Sequence, residues 1–419
     1  MEIQPTAPTP RREGTPRPPS KAQKSSSRLS QRGKSVDMKA DRVIKIRAVM
    51  IDLGTGYCKA GYTGLPLPSV VLPSTMGRPV QMGTEPGDNR QENFVGEVLA
   101  APEPALKLAS PLRHGIVADW DGAEALLAHI FHRALRILPE EHAVMVADPP
   151  LSPASNREKM AEVLFETFGA PSIHVADQSV LSLYSSGCIT GLVVECGHGV
   201  THVAPVHEGY IMPHVTARAD YGGADLNDYL LQLLNEAGHR FTEAGLHIVE
   251  DIKKKCCYTS VNFEEELGLD VNEHLVEYEL PDGYIVSLGK ERFRCPEALF
   301  KPSLMGSKEP GVHSLALHSL DSCDSPVKDS IASNILVCGG STMFGGFSER
   351  LQKEMDRLGS GRNPAVRCFP ARKYSVWLGG SILASLQAFQ QLWVHRREYD
   401  EWGPFIIHRK CFSIYSLDV

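Results

Sequence analysis

The sequence predicts an α/β protein whose two similar lobes face each other across a cleft. Three short apolar stretches support this fold, because each reads as a strand that ends in a glycine-rich turn; they lie at 48–53, 191–196 and 335–338. The chain has 419 residues, more than a single hydrophobic core usually accommodates. We therefore expect each lobe to hold a mixed β-sheet, duplicated in plan and flanked by helices.

The composition, 42% hydrophobic and 22% charged, is that of an ordinary globular protein. No apolar run approaches the roughly 18 residues that a membrane-spanning helix needs, so no transmembrane segment is expected. The ten cysteines include no C-x-x-C pair, which argues against a zinc site. Free thiols of this kind are typical of proteins in reducing compartments such as the cytoplasm and the nucleus.

Residues 1–44 are rich in Pro and Ser, with few residues that could build a core, and are predicted to form a disordered tail. Residues 1–47 carry twelve Lys and Arg against four Asp and Glu, although the whole chain has a net charge of −7. Such a basic tail could bind nucleic acid, an anionic membrane or an acidic partner. A solvated extension without a fixed ligand is the alternative.

The first glycine turn carries groups suited to binding phosphate. Gly54 and Gly56 allow backbone N–H groups to point at an anion. Thr55 offers a hydroxyl, Lys59 a positive charge, and Asp52 an anchor for metal-bound waters. Taken alone, the pattern fits a purely structural hairpin equally well, because glycine turns between strands are common.

The second turn repeats this plan, with Glu195 at the end of the strand followed by Gly197 and Gly199. Two such hairpins in facing positions could hold a phosphate chain and its metal from both sides. The hypothesis of a phosphate site therefore rests on the pair of hairpins.

The third turn, Gly339–Phe344, precedes a segment with apolar residues at Phe347, Leu351 and Met355. This spacing predicts a helix, so the turn is expected at a helix N-terminus, where an anion or a nucleotide is favoured. Three strand and glycine-turn units in one chain resemble the duplicated plan of the actin, Hsp70 and sugar-kinase superfamily.

Longer motifs resemble actin and the actin-related proteins from about residue 45 to residue 412. They are 156–160, 180–184, 291–297, 372–377, 379–386 and 408–412. The basic segment before the core and the stretch 253–257 resemble most the testis-type actin-like proteins. The resemblance implies the actin-like two-lobed fold, with a site for ATP or ADP and Mg²⁺ or Ca²⁺ between the lobes.

The resemblance also implies domain boundaries. The outer lobe would comprise 45–185 and 375–412, with 74–110 as subdomain 2. The inner lobe would comprise 186–374, with 222–307 as subdomain 4. A C-terminal extension would follow at 413–419.

Matching motifs assign roles to individual residues of the cleft. The nucleotide would contact Gly54, Thr55, Gly56, Tyr57, Lys59, Gly197, His198, Gly199, Val200, Gly223, Lys253, Gly340, Met343, Phe344 and Lys373. Asp52, Gln178 and Glu195 would hold the metal through waters. Gln178 and His202 would position the attacking water for hydrolysis.

Three positions depart from the actin pattern. Glu195 is one methylene longer than the aspartate expected there, and His198 replaces the second aspartate of the loop. Lys254, which can only donate hydrogen bonds, stands where an acidic residue would accept them from ribose hydroxyls. Since a hard cation demands regular oxygen geometry, we expect weak nucleotide binding and at most weak ATPase activity.

The loop that actins insert into a neighbouring subunit has a polar tip at 83–89, which includes Pro86. A polar tip cannot bury comparable apolar surface, so long homofilaments are not expected.

A groove between the lobes resembles the one where actin-binding proteins dock an amphipathic helix. Its matching residues are Tyr184, Gly187, Gly209, Ile382, Leu383, Leu386 and Leu392. Its partners would be proteins of the actin-binding type or other actin-like proteins. Alternatively, Ile382, Leu383 and Leu386 form only the core-facing stripe of a helix.

These features together predict an actin-like cytoskeletal or scaffold protein with a partly eroded ATP site. A nucleotide-hydrolysing, filament-forming actin-related protein is the alternative. A small-molecule kinase of the wider superfamily is disfavoured, because the C-terminal third resembles actin specifically. By resemblance, the expected location is the cytoplasm and cytoskeleton, or a nuclear or perinuclear site, in male germ cells, with a role in spermatogenesis.

Overall fold

The computed structural model describes residues 47–79, 94–95, 106–242, 245–358 and 364–411. They belong to one compact unit, 46–419. The predicted basic tail, the polar tip at 83–89 and the extension at 413–419 lie outside the described residues. Within the described ranges, no helix combines the length and the apolar character needed to cross a membrane.

The first sheet has six strands, and its centre is a hairpin followed by two parallel strands. In spatial order the strands are β19 (Val394–His395), β10 (Ser172–Asp177), β9 (Val144–Asp148), β1 (Val49–Leu53), β2 (Tyr57–Tyr62) and β3 (Val70–Pro73). Strands β1 and β2 are antiparallel, β1 runs parallel to β9, and β9 runs parallel to β10.

The second sheet repeats this connectivity. Its strands are β13 (Tyr210–Ile211), β12 (Thr201–His207), β11 (Gly191–Cys196), β17 (Ile335–Cys338) and β18 (Val366–Cys368), with β14 (Ala217–Ala219) paired to β12. Strands β11 and β12 are antiparallel, β11 runs parallel to β17, and β17 runs parallel to β18. The prediction of an α/β fold with two similar mixed sheets is therefore confirmed.

Shorter strands form three small sheets. They are β4 (Met76–Pro79) with β5 (Phe94–Val95) and β6 (Leu106–Ala109), then β7 (Leu112–Arg113) with β8 (Ile116–Val117), and β15 (Val276–Glu279) with β16 (Ile285–Leu288).

Helices cover the sheets. The α-helices are α1 (Trp120–Ala128), α2 (Ala154–Glu162), α3 (Gln178–Ser185), α4 (Gly223–Glu236), α5 (Leu246–Cys256), α6 (Phe263–Leu267), α7 (Glu291–Glu297), α8 (Val312–Asp321), α9 (Ser325–Ala332), α10 (Phe347–Leu358), α11 (Ser375–Ser385), α12 (Arg396–Trp402) and α13 (Ile406–Lys410). Wider π-helical turns continue α1 and α2 at His129–Leu135 and Val163–Thr167. Short 3-10 helices lie at Pro139–Glu141, Pro213–Val215, Val271–His274, Pro302–Met305, Gly340–Thr342, Arg372–Tyr374 and Gln387–Leu392.

The first sheet is buried on both faces. Along β1, Val49 and Ile51 face one core, while Met50 faces the other, as the alternation of side chains in a strand requires. The second core is closed by α11, whose Trp377 donates from its indole nitrogen to the Met50 carbonyl oxygen at 3.0 Å. The C-terminal part of the chain thus completes the lobe that the N-terminal strands begin.

Helices α3 and α11 approach each other backbone to backbone. A Cβ atom added at Gly379 would lie 1.7 Å from the carbonyl oxygen of Leu181. One added at Gly380 would lie 2.4 Å from the sulfur of Met50. The two glycines therefore allow α11 to lie against both α3 and the first sheet.

The third glycine turn contains the 3-10 helix Gly340–Thr342, and α10 begins at Phe347. Gly346, directly before α10, has a φ of +82°, and a Cβ there would lie 2.2 Å from the Thr259 carbonyl oxygen. Phe347, Leu351 and Met355 are fully buried, as their spacing predicts. The turn therefore leads to the N-terminus of this helix, as predicted.

The close packing of α3 and α11 yields a stability prediction. We expect Gly379→Ala to lower the free energy of unfolding by more than about 3 kcal/mol, because the new methyl group has no space and its neighbour is backbone. The control is Gly345→Ala, where a Cβ meets no atom within 4 Å, and where the change should stay within about 0.5 kcal/mol. Chemical denaturation of both variants measures the difference, and equal stabilities would contradict this packing.

Candidate functional site

A cavity of about 660 Å³ lies between the two sheets and is lined by residues of both. The structure places on its wall every residue that the sequence analysis assigned to nucleotide, metal or catalysis: Asp52, Gly54, Thr55, Gly56, Tyr57, Lys59, Gln178, Glu195, Gly197, His198, Gly199, Val200, His202, Gly223, Lys253, Gly340, Met343, Phe344 and Lys373. Their convergence from distant parts of the chain defines the candidate site. The role of each remains a prediction.

The turn between β1 and β2 is held by neighbouring hydroxyls. Ser74 donates to the carbonyl oxygen of Gly54 at 2.6 Å, and Thr55 accepts from the backbone N–H of Gly115 at 2.8 Å. At the base of the hairpin, the Lys59 ammonium lies 2.9 Å from the Asp52 carboxylate. The turn thus presents glycine backbone to the cavity. The Asp52 carboxylate beside it is already paired with Lys59.

Asp52 and Lys59 influence each other's pKa. Burial raises the pKa of the Asp52 carboxyl, although the Lys59 ammonium opposes that shift. Burial would lower the pKa of Lys59, but the charge of Asp52 and the hydrogen bond to it outweigh burial and raise the pKa. Lys59 therefore stays charged beside the carboxylate.

The turn between β11 and β12 is anchored by the N-terminus of α4. The backbone N–H of Gly223 donates to the Gly197 carbonyl oxygen at 3.0 Å, and that of Ala224 donates to the His198 carbonyl oxygen at 2.7 Å. The Ser341 hydroxyl also donates to the Gly197 carbonyl oxygen at 2.7 Å. Ser341 is a cavity residue to which sequence reasoning assigned no role, although it belongs to the third glycine turn.

The two hairpins touch each other directly. A Cβ added at Gly56 would lie 2.5 Å from Cγ of His198, and one added at Gly199 would lie 2.7 Å from the methyl carbon of Thr55. His114 adds a third contact, since its Nδ1 lies 2.7 Å from the Gly199 carbonyl oxygen. Glycine thus permits both contacts, because a side chain at either position would force His198 or Thr55 to move.

Glu195 is surrounded by protein groups. Its Oε2 atom lies 3.4 Å from the Ser182 hydroxyl, 3.7 Å from the Cys338 sulfur and 3.5 Å from Nε2 of His202. Burial would raise the pKa of Glu195, but the neighbouring His202 and Lys59 outweigh burial and lower the pKa. Glu195 therefore remains an anion whose surroundings already balance its charge.

His202 is almost fully buried at the end of this cluster, with 1% of its surface exposed. Its Nε2 lies 3.5 Å from the Glu195 carboxylate, whereas Nδ1 has no hydrogen-bond partner among the described residues. A buried imidazole nitrogen without a partner is costly, which makes His202 a candidate for contact with a polar ligand.

The inner wall contributes further positive charge. Lys253 is buried, and its Nζ donates to the Gly223 carbonyl oxygen at 2.5 Å. Burial lowers the pKa of Lys253. Arg372, another cavity residue that the sequence analysis missed, donates to the Thr342 carbonyl oxygen at 2.7 Å beside Lys373.

A bridge that sequence reasoning did not predict spans the cavity. Tyr57, on the first hairpin, donates through its hydroxyl to Glu250 at 3.1 Å and accepts from Lys254 at 2.8 Å. The Lys254 ammonium also lies 2.8 Å from the Glu250 carboxylate and 4.8 Å from the centre of the Tyr57 ring. The i, i+4 spacing of Glu250 and Lys254 on α5 could have predicted their ion pair. It could not have predicted that Tyr57 contacts both residues.

The residues present fit a ligand with phosphate groups. The volume lies within the range typical of small-molecule sites, about 300–1,000 Å³, and the glycine turns expose backbone beside several lysines. They do not fit a divalent cation equally well. Both candidate carboxylates, Asp52 and Glu195, are engaged by the protein itself, and no group of three potential metal-binding side chains occurs among the described residues.

The groove residues lie away from the cavity, at the far ends of α3 and α11. Tyr184 belongs to α3, while Ile382 and Leu383 belong to α11. Leu386 and Leu392 follow at its C-terminal end. Gly187 and Gly209 have φ values of +74° and +84°, a region that glycine adopts without strain.

The bridge yields a prediction about the mouth of the cavity. Tyr57→Phe keeps the ring but removes both hydrogen bonds of the hydroxyl, worth roughly 1 kcal/mol in total at this partly exposed position. Amide hydrogen exchange at 54–57 should accelerate about fivefold, because the first hairpin is no longer tied to α5.

The control is Tyr278→Phe. The Tyr278 hydroxyl donates to Asp251, which is also paired with Lys255. This group repeats the arrangement of Tyr57, Glu250 and Lys254 one residue further along α5, but it lies within one lobe. This variant should leave exchange at 54–57 unchanged. Unaltered exchange in Tyr57→Phe would mean that the bridge does not hold the mouth closed.

Comparison with known proteins agrees with this architecture. The chain matches the family described as Actin over residues 43–412. It is 56% identical over 375 residues to Actin-like protein 7B of Homo sapiens, covering 89% of this chain and 90% of that protein. It is 52% identical over 378 residues to Actin-like protein 7A of Bos taurus, covering 90% of this chain and 86% of that protein. The resemblance found in the sequence is confirmed, and the chain belongs to the actin family.

Proposed function

We propose that the chain is an actin-like scaffold that binds helical segments of partner proteins in the groove beside α3 and α11. The observation that carries this proposal is the exposure of large aliphatic side chains at the C-terminal end of α11. Ile382 is 40% exposed, Leu386 50% and Leu392 37%. Exposed apolar residues close together typically mark interaction sites.

The spacing of these residues suits a helix-binding groove. Ile382 and Leu386 are four residues apart, and Leu386 directly follows the last residue of α11. The two side chains therefore lie about one helical turn apart. Leu383, in contrast, packs against the core that contains Trp377. The alternative that all of these residues form only a core-facing stripe therefore applies to Leu383 and not to Ile382 or Leu386.

The glycines border the apolar residues in different ways. A Cβ at Gly187 would meet no atom within 4 Å, whereas one at Gly209 would lie 2.7 Å from the Tyr184 hydroxyl. A bulky residue at Gly187 would therefore find space but would strain the backbone at its positive φ. Substitution of the exposed leucine is the cleaner probe.

A designed amphipathic peptide, with apolar anchors at i, i+3, i+4 and i+7, should bind the full chain. We expect Leu386→Arg to weaken that binding at least about tenfold, because the change removes apolar contact and buries a charge. The control is Ile285→Arg, an exposed aliphatic residue on β16, which should leave the affinity unchanged. Fluorescence anisotropy, after a check that both variants melt like the wild type, measures the effect. Equal affinities of all three proteins would place recognition elsewhere.

The actin family typically binds a nucleotide with a divalent metal. We propose that this chain retains ATP or ADP binding in the cavity, with at most weak ATPase activity. The two glycine hairpins and the surrounding lysines support binding. The occupied carboxylates and His198 at the hairpin contact argue against efficient hydrolysis, which relies on a well-placed metal and water.

The competing function is a nucleotide-hydrolysing filament former. Under conditions that polymerise actin, we expect this chain to remain in the supernatant and to release little phosphate. The reason is the polar tip at 83–89, which offers no apolar surface to a neighbour. We would test for filaments by pelleting and electron microscopy, and for hydrolysis by single-turnover phosphate release. Actin serves as the positive control in each assay. Abundant helical filaments with actin-like phosphate release would favour the alternative.

We further propose a location in the cytoplasm and cytoskeleton of male germ cells, with a nuclear or perinuclear site as the alternative, and a role in spermatogenesis. Similarity to the actin-like proteins supports the cytoskeletal assignment. The net positive charge of residues 1–47 supports an anionic partner for the tail, whether nucleic acid, a membrane surface or an acidic protein.

A further inference from the structure

The cavity differs from a usual metal-assisted phosphate site because both of its candidate metal-binding carboxylates already contact protein groups. The Asp52 carboxylate is paired with Lys59 at 2.9 Å. Glu195 faces Ser182 and His202 within 3.5 Å. A cation would have to compete with these internal partners for both carboxylates. Mg²⁺ keeps several of its waters in a near-ideal octahedron, and the internal partners already occupy carboxylate oxygens that would have to anchor those waters.

His198 removes a third candidate ligand from the same place. Its ring lies against Gly56, where a Cβ would be only 2.5 Å from Cγ. Its backbone carbonyl oxygen is already bonded to the Ala224 N–H. The ring therefore occupies the contact between the hairpins, and it contributes nitrogen atoms where a hard cation would need oxygen.

Positive charge is in excess around the cavity. Its wall contains six basic residues, Lys59, Lys253, Lys254, Lys255, Arg372 and Lys373, but only three acidic ones, Asp52, Glu195 and Glu250. Lys59 and Lys254 are paired with two of these acids. Among the described residues, Arg372 and Lys373 have no acidic partner within 4.0 Å. Arg372 already donates to Thr342 and Phe369, so Lys373 is the better placed of the two to neutralise phosphate oxygens directly, which is the task that a bound cation performs elsewhere.

We propose that this cavity binds a chain of phosphate groups without a divalent cation. The inference rests on the proposed nucleotide cleft and deepens it, since the protein's own lysines and arginine replace the metal. The phosphate chain could belong to a nucleotide or to free inorganic tripolyphosphate, because both present the same oxygens to the hairpins and the basic residues.

The experiment uses the full chain and a fluorescent ATP analogue. Its dissociation constant is measured with Mg²⁺, with Ca²⁺ and with EDTA in place of either ion. We expect the three constants to agree within about threefold. Unlabelled ATP and inorganic tripolyphosphate are then added as competitors in EDTA. Competition by either compound supports the proposal, and their relative strength identifies the source of the phosphate chain.

Two variants test the residues themselves. Lys373→Gln should weaken binding in EDTA at least about fivefold, because it removes an unpaired positive charge from the wall. The control is Lys159→Gln, an exposed lysine of α2 outside the cavity, which should change nothing.

The outcomes separate this inference from the proposed nucleotide cleft. Wild-type binding that is tenfold or more weaker in EDTA overturns the inference and leaves the cleft intact. Failure of the analogue to bind in any buffer overturns both, while the groove is tested independently. Equal effects of Lys373→Gln and Lys159→Gln also count against it.

Discussion

The close contact between the two glycine hairpins governs the geometry of the cavity. Gly56 lies against His198, and Gly199 lies against Thr55, at distances that exclude a side chain at either glycine. The lobes therefore meet at a fixed spacing, and the basic residues of one lobe reach the hairpin of the other. A wider spacing would break the Tyr57 bridge, and it would remove the concentration of charge that makes the cavity suited to an anion.

The cavity and the groove share two structural elements. Helix α3 begins with Gln178 on the cavity wall and contains Tyr184 near its other end. Helix α11 places Val376 on the cavity wall, and it ends just before Leu386. The two helices pack backbone to backbone at Gly379, which faces the Leu181 carbonyl oxygen and not a side chain that could move. The walls of both sites are thus parts of one tightly packed pair.

Sequence reasoning predicted the features that depend on local pattern. The strands were predicted because each apolar stretch ended in glycine, and the paired hairpins because Glu195 and Gly197 repeated the plan of Asp52 and Gly54. The long actin-like motifs added the family and the residues of the cavity wall. Each of these signals is carried by residues that are near one another in the chain.

The remaining features depend on contacts between distant residues. The bridge joins Tyr57 to Glu250, which are 193 residues apart, and no local pattern links them. The close approach of Gly346 to Thr259, a neighbour in space only, likewise has no signal in the local sequence. The pairing of Asp52 with Lys59 fits the alternation of side chains along β1 and β2, but its effect on metal binding emerged only from the distances.

The cover that α11 provides for the first sheet has a consequence for the order of folding. Trp377 bonds Met50 across 327 residues, and β19 pairs with β10 only through residues 394–395. During synthesis, the apolar face that contains Met50 and Met145 is therefore covered only in part, by Leu181 of α3, until α11 has left the ribosome. Domains generally fold as units, and this lobe is completed only when the segment that holds α11 and β19 is available. Part of the apolar surface thus stays exposed on the nascent chain, which favours aggregation at that stage.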